Sequence, residues 1–390
     1  MEELMEPAEW ILQTAASSSS ASASSSIRNY TDVVTICDFQ GASDAHSDCA
    51  VNIVWWTNVI CLPTIAFIGL ACNILNILIL TSNRSAKRMP SWNLLLALAI
   101  CDCLFLIFAV FEVTPVSIGA FVARPPFNFI YAHSVLYIRT LASTFYKTSV
   151  LIVVAFNLER YICVCHPLRS HRLCTTRTSR LAIVFCIFTS LLCSLQWPIC
   201  YHVQSCYDIS IQNYFYMVIL RDSHSLQFYY RITDYFSLIG FNVLPILILC
   251  VLNIRLIITL RKVVDRDMAR GSCCDTEHQG TGTTLLADGA LIPDSTIGIR
   301  SSAAQRFNAN AMLFAVVIML FICVGPQAPA RLLFEYFGQY HSTAIVYTCI
   351  TQQLVFLNAA LNFCWYCLVS RRYRTLLKQT VKRILGSANK

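Results

Sequence analysis

Glu159-Arg160-Tyr161 sets a carboxylate beside a guanidinium where a long apolar run, Thr144 to Val164, gives out into a basic loop. An ion pair at the edge of hydrocarbon carries a desolvation cost and needs a reason. A switch is one such reason: the pair holds one packing of a helix bundle and is released in another. A plainer reading is a boundary arginine that snorkels to the surface. Asp102 lies in the middle of another apolar run, and Glu112, Arg139, Lys147, Asp234, Arg331 and Glu335 interrupt others. Ionisable groups in such segments are candidates for function by default. For Glu112, Arg139 and Lys147, mutual pairing across helices stays open beside a role in binding.

These residues need helices in a bilayer to position them. The chain has 390 residues, 56% of them apolar and only 13% charged, too greasy for an ordinary soluble domain. Continuous apolar stretches of about 20 residues span roughly 30 Å of hydrocarbon as helices. Seven are present, near 52–81, 92–114, 133–164, 180–203, 231–260, 308–336 and 343–369. Their continuity, without alternation, favours helices over a barrel. The expected fold is an all-α membrane protein, a seven-transmembrane helix bundle with a C-terminal amphipathic helix.

Charge predicts the orientation. Residues 1–51 carry eight acids against one base, Arg28, whereas the loops after the first and third runs and the tail after the seventh are basic without acids. Cationic loops stay inside, so the N-terminus is expected outside and the C-terminus in the cytoplasm of a multi-pass plasma-membrane protein. Met1–Gln13 lacks the apolar core of a cleavable signal peptide, and the first run is expected to act as its own insertion signal. The net charge of +8 fits loops near anionic lipid rather than nucleic acid.

Three regions divide the chain: an acidic, disordered N-terminus over 1–51, the helical domain over 52–369, and a tail over 370–390. Residues 14–26 are a Ser/Ala tract unable to bury a core. Asn29-Tyr30-Thr31 is a glycosylation sequon on the expected outer side; Asn83-Arg84-Ser85 falls inside and is discounted. Alternating residues in 201–230 admit a short hairpin. Residues 265–304 read as a flexible cytoplasmic insert. Tyr373, Leu377, Val381, Ile384 and Leu385 fall on one face of an interfacial helix. Most of the twenty cysteines lie in apolar runs, where cysteine behaves as a small hydrophobe.

One polar signature falls in each run: Gly69-Leu70-Ala71-Cys72-Asn73, Leu98-Ala99-Ile100-Cys101-Asp102, Glu159-Arg160-Tyr161, Trp197-Pro198, Pro245, Cys323-Val324-Gly325-Pro326 and Asn362-Phe363-Cys364-Trp365-Tyr366. In this order the chain resembles the rhodopsin-like (class A) G-protein-coupled receptors. The Arg160–Arg169 run, Leu173-Cys174-Thr175 and Asn-Phe at 362–363 are most similar to the invertebrate FMRFamide-receptor-like group. The resemblance implies a receptor and transducer, not an enzyme, whose partners are an extracellular peptide, a heterotrimeric G protein and the bilayer. It fixes no oligomeric state. Glu159, Arg160, Tyr161, Asn362, Tyr366 and Pro326 would form the coupling switch. Asp102, Ser149, Asn358 and Asn362, with Asn73, would form a sodium pocket, no other cofactor being implied; polar glue between helices is the alternative.

The departures from the family are specific. Its disulfide from helix three to the second outer loop needs a cysteine near Val135, and none lies between Cys103 and Cys163, leaving Cys206 to an N-terminal cysteine. Ala142 stands where amine receptors carry aspartate, and Phe356 where opsins carry the retinal lysine. A peptide is the better fit, with Glu112, Asp234 and Glu335 as carboxylates for a ligand guanidinium and Tyr137, Phe145, Phe236 and Tyr336 for its aromatic ring. A receptor for chemosensory or other small ligands is the alternative. A transporter is a more distant one, since no internal repeat is visible.

Overall fold

A computed structural model describes residues 48–82, 91–118, 124–208, 212–277, 317–337, 341–369 and 371–388. The apolar helices are α1 (Ala50–Ser82), α2 (Trp92–Ser117), α3 (Pro125–Cys165), α4 (Thr176–Cys200), α5 (His224–Thr259), the shorter α6 (Val317–Ala330) and α7 (Ser342–Cys364). A last amphipathic helix, α8, covers Arg371–Ala388. Together they form a seven-helix bundle with α8 across one end. The predicted start of α6, 308–316, lies outside the described residues, as do Asn29 and the whole Ser/Ala tract.

Helix boundaries differ from the sequence expectation by several residues, most at the start of the third and the ends of the fifth. The third helix starts at Pro125 rather than near 133, because a proline at the first helical position costs no hydrogen bond and Arg124 caps it in extended backbone. The fifth runs on as helix to Glu277, past the expected start of the insert at 265. The remainder of that insert lies outside the described residues.

Proline shapes two of the helices. A π-helical segment, Trp56–Cys61, lies just before Pro63 in α1, and another, Ile239–Val243, just before Pro245 in α5. Proline lacks an N–H and its ring crowds the carbonyl four residues back. Those carbonyls belong to Val59 and Phe241, and widening the turn around each relieves the clash. In α6, residues 325–326 form a turn between two helical stretches, and the Tyr347 hydroxyl of α7 donates to the Pro326 carbonyl at 3.1 Å.

Close packing holds the helices at one spacing. A methyl group added at Gly69 would stand 2.6 Å from Leu106 and 2.7 Å from the Ala360 Cβ, so α1, α2 and α7 meet only because residue 69 has no side chain. One core, including Leu80, Leu95, Ile152, Leu249, Leu320 and Phe363, fills the half of the bundle toward Arg160. A second, including Leu62, Leu106, Ala142 and Phe356, fills the other half.

The stretch after α4 is a hairpin, β1 (Tyr201–Asp208) and β2 (Asn213–Leu220), paired antiparallel with Tyr201 opposite Leu220. It is pinned to α3 by the buried Asn128. The Asn128 amide donates to the Tyr216 carbonyl at 3.2 Å, and its oxygen accepts from the Tyr216 N–H at 2.7 Å, the pattern of one more strand residue. Phe129 packs edge-on against Tyr216, 5.1 Å away. Cys206, buried beneath Phe215, is disulfide-bonded. The fifteen other cysteines with described side chains are free thiols, so its partner is none of them.

At the other end α8 turns Tyr373, Leu376 and Thr380 into the bundle. The Tyr373 hydroxyl donates to the Asn76 side-chain oxygen, and the Arg383 guanidinium donates to the Ser82 carbonyl at 2.7 Å. Of the predicted face, Tyr373 is in this seam and Leu377 packs half-buried against the same core, while the side chains of Ile384 and Leu385 lie outside the described residues. Val381 faces outward, because the seam follows residues 373, 376 and 380 while the apolar stripe extends to one side of it.

Candidate functional site

At the hairpin end a cavity of about 190 Å³ opens between α2, α3, α4, α5, α6 and α7. Its lining residues recur at the helical repeat on each wall: Phe105, Ala109 and Glu112 on α2; Arg139, Ala142, Ser143, Tyr146 and Lys147 on α3; Asp234, Ser237, Leu238, Phe241 and Asn242 on α5. Four of the six ionisable residues singled out from the sequence therefore share one space. Arg331 and Glu335 lie on the extension of α6, Gln327–Phe337, and their side chains are outside the description. Ala142 and Phe356, which argued against an amine and a retinal, also line it.

Glu112 and Arg139 pair with each other, Nε to Oε1 at 2.7 Å. Of the two readings left open, the geometry contains the mutual pair, with the Tyr131 hydroxyl also donating to the Glu112 carbonyl. The Arg139 guanidinium lies 4.9 Å over the Trp197 ring, which packs against Tyr201 and Tyr230. Burial pushes the Tyr201 phenol above its usual range even with Arg139 nearby. Lys147 does not join the pair. Its ammonium donates to the Cys193 carbonyl at 3.0 Å and lies 5.4 Å from the Phe241 ring.

Amides that sequence reasoning passed over complete the wall: Gln196, Asn242, Gln327 and Gln352. The Tyr146 hydroxyl donates to Asn242 at 2.7 Å and approaches Gln327 at 3.2 Å, tying α3, α5 and α6. Among the buried polar atoms of the lining residues without a hydrogen-bond partner are Gln196 Oε1, Trp197 Nε1 and Ser237 Oγ. Of the aromatics expected to pack a ligand ring, Tyr137 (64% exposed), Phe236 and Tyr336 (84%) face out of the bundle. Phe145 is inside, stacked on Phe108 at 5.9 Å. The aromatic lining is instead Phe105, Tyr146, Trp197, Phe241 and Phe356.

Midway along the bundle Asp102 is fully buried. Its two carboxylate oxygens accept from the Ser149 hydroxyl at 2.6 Å and the Asn362 amide at 2.7 Å. Asn73 donates to the Gly69 and Ala359 carbonyls, each at 3.0 Å, while its own side-chain oxygen is buried without a partner. Asn358 is also buried. One carboxylate, a hydroxyl and an orphaned amide oxygen are hard donors of the kind a small cation takes.

At the far end Glu159 reaches α4, accepting from the Ser179 hydroxyl at 3.4 Å. The Arg160 guanidinium lies 5.4 Å over the Phe156 ring, and Tyr161 meets His166 edge-on at 5.7 Å. Cys174, in the loop before α4, points its thiol at the Glu159 carbonyl, 3.8 Å away, and burial pushes that thiol up to about 12. The Tyr366 side chain lies outside the description. Arg139 and Arg160 stand on the same helix, roughly 30 Å apart at 1.5 Å per residue, about the thickness of a bilayer core.

Residues 72–366 match the family model described as the 7 transmembrane receptor (rhodopsin family). Among similar proteins, the human thyrotropin-releasing hormone receptor is 23% identical over 319 residues, 80% of this chain and 74% of its own length. A probable G-protein coupled receptor of Caenorhabditis elegans is 27% identical over 82% of this chain and 68% of its own. The FMRFamide receptor of Drosophila melanogaster is 28% identical over 148 residues, 36% of this chain and 26% of its own.

Proposed function

The chain belongs to the rhodopsin family of seven-transmembrane receptors, signalling proteins rather than enzymes, and from that premise we propose that it is a plasma-membrane receptor for an extracellular amidated, FMRFamide-like peptide that activates a heterotrimeric G protein. The hairpin end faces outside and the Arg160 end faces the cytoplasm, as the loop charges favour. The observation that carries this reading is the cavity under the hairpin. Glu112, Arg139, Lys147 and Asp234 share it with four amides and five aromatic rings. Such a mixture suits a polar backbone with an aromatic side chain better than a small apolar molecule. The curated relatives named for peptides point the same way.

Binding in the cavity would favour one of two arrangements of α5 and α6 through differential affinity. The π segment before Pro245 and the turn at Gly325-Pro326 are the places where those helices can bend. The G protein would then engage Arg160, now turned from its own helix toward the cleft. Asp102, Ser149, Asn358 and Asn362, with Asn73, would hold a sodium ion that stabilises the unliganded arrangement.

A library of amidated peptides, applied to cells expressing the chain with a promiscuous Gα, tests the reading. Calcium release to an amidated peptide, absent in untransfected cells, is expected. A response confined to small non-peptide molecules would overturn it.

A further inference from the structure

We propose that Cys72 of α1 and Cys364 of α7 are a redox clamp: a lipid hydroperoxide joins them as a disulfide, and the bond fixes α7 against α1 beside the Asp102 cluster. The inference goes beyond ligand recognition and does not rest on the peptide-receptor reading.

The two sulfurs stand 3.9 Å apart, in contact across 292 residues of chain. A disulfide needs about 2.05 Å between them, so each has to move about 1 Å, the scale of a side-chain torsion adjustment. The helices meet closely here, since a Cβ at Gly69 would stand 2.9 Å from the Ala360 Cα. Both run toward α8. Cys72 lies one turn beyond Gly69 and Cys364 one turn beyond Ala360, so the thiols face each other across the same seam. Bonds on either side hold that seam: Asn73 donates to the Ala359 carbonyl at 3.0 Å, and Tyr373 donates to Asn76. Both thiols are half-buried, at the edge of the seam rather than sealed in the core. Cys72 lies inside the α1 span and Cys364 ends that of α7. Acyl chains, not water, bring the oxidant to them.

The step balances with the hydroperoxide as sole oxidant. One sulfur attacks the peroxide; the O–O bond breaks, the sulfur keeps one oxygen as a sulfenic acid, and the lipid leaves as an alcohol. The second sulfur attacks the first; the S–S bond forms, the S–O bond breaks, and hydroxide leaves with the thiol proton as water. Two thiols lose two electrons and the hydroperoxide gains them. Ionised sulfur is the reactive form, and apolar surroundings disfavour it, so the reaction runs over minutes to hours and answers sustained exposure. Cys367, one turn further on the same face of α7, is the neighbouring competitor. Asn362, two residues before Cys364, donates to Asp102 at 2.7 Å. The bond therefore holds the stretch of α7 that completes the polar cluster, and with it the described packing.

The test uses the full-length protein in lipid nanodiscs, treated with cumene hydroperoxide, alkylated at its remaining thiols, digested and read by mass spectrometry. A linked pair of peptides holding Cys72 and Cys364 is expected, two hydrogens lighter than the separate peptides and split again by tributylphosphine. The melting temperature is expected to rise by a few degrees on oxidation and to fall back with the phosphine. Cys72→Ser and Cys364→Ser should each lose both the linked pair and the rise, while Cys367→Ser should keep both. Four results would overturn the clamp: no linked pair in the parent protein, Cys364 linked to Cys367 instead, a link confined to the contacting thiols Cys163 and Cys174 at the cytoplasmic end, or the expected pair with an unchanged melting temperature.

Discussion

At the scale of single residues, pairing decides what each charged group can do. Glu112 and Arg139 neutralise each other at 2.7 Å, partly screened from solvent. Glu112→Gln leaves the guanidinium short of a counter-charge, and the expected loss is about 1–3 kcal/mol, between the values of exposed and buried pairs. Thermal unfolding of the purified protein measures it, and the swap Glu112→Arg with Arg139→Glu should recover part of the loss. Asp102 is a different case, since both its oxygens accept hydrogen bonds from neutral donors. If the cluster holds sodium, raising sodium at constant ionic strength lowers agonist affinity in the parent protein and leaves Asp102→Asn unchanged. A response to sodium of equal size in both proteins would leave the cluster as polar packing between helices.

At the scale of elements, the order of helices was legible from apolar runs and one polar signature per run. Their rotation was not. Each long helix is apolar nearly all round, so the pattern does not say which side meets lipid and which meets protein. Arg139 and Tyr137 show the consequence: two positions apart, they lie on opposite sides of α3, and only Arg139 enters the cavity. For α3 the phase was within reach: Ala142, placed by the family resemblance, marks the inner side that residues 139, 143, 146 and 147 share. Gln196 and Ser237 carried no signal, because an amide or a hydroxyl in an apolar run reads as helix glue. The hairpin was legible only as alternation, and its attachment to α3 through Asn128 was hidden, since nothing in a single asparagine announces a strand partner. Asn128→Leu removes two part-buried hydrogen bonds and leaves the Tyr216 N–H and carbonyl facing a leucine. The expected cost is about 2–4 kcal/mol, seen as faster hydrogen exchange across 213–220 with the helices unaffected. Gly69→Val acts on helix packing instead. It drives methyl groups into Leu106 and Ala360, and about 1–3 kcal/mol of overpacking is expected as a lower melting temperature.

At the scale of the whole molecule, the cavity and Arg160 lie at opposite ends of α3, and neither touches the other. Coupling between them has to pass through the bundle as a choice between two packings, not as a contact. Glu159, engaged by Ser179 of α4, and Arg160, over Phe156 of its own helix, describe one of those packings. The second would free the guanidinium for a G protein, and linkage then requires that the G protein tighten agonist binding by the factor by which the agonist favours the G protein. Arg160→Ala should leave agonist affinity unchanged in the absence of G protein, because the residue is roughly 20 Å along α3 from Lys147, the nearest lining residue on that helix. It should abolish the shift that the G protein produces, about 5–150-fold for ordinary allosteric coupling. Competition binding in membranes with and without a non-hydrolysable GTP analogue reads both quantities from one preparation. A guanine-nucleotide-sensitive shift that survived in Arg160→Ala would place the cytoplasmic contact elsewhere. Loss of agonist affinity without any G protein present would show that the arginine supports the bundle rather than the switch.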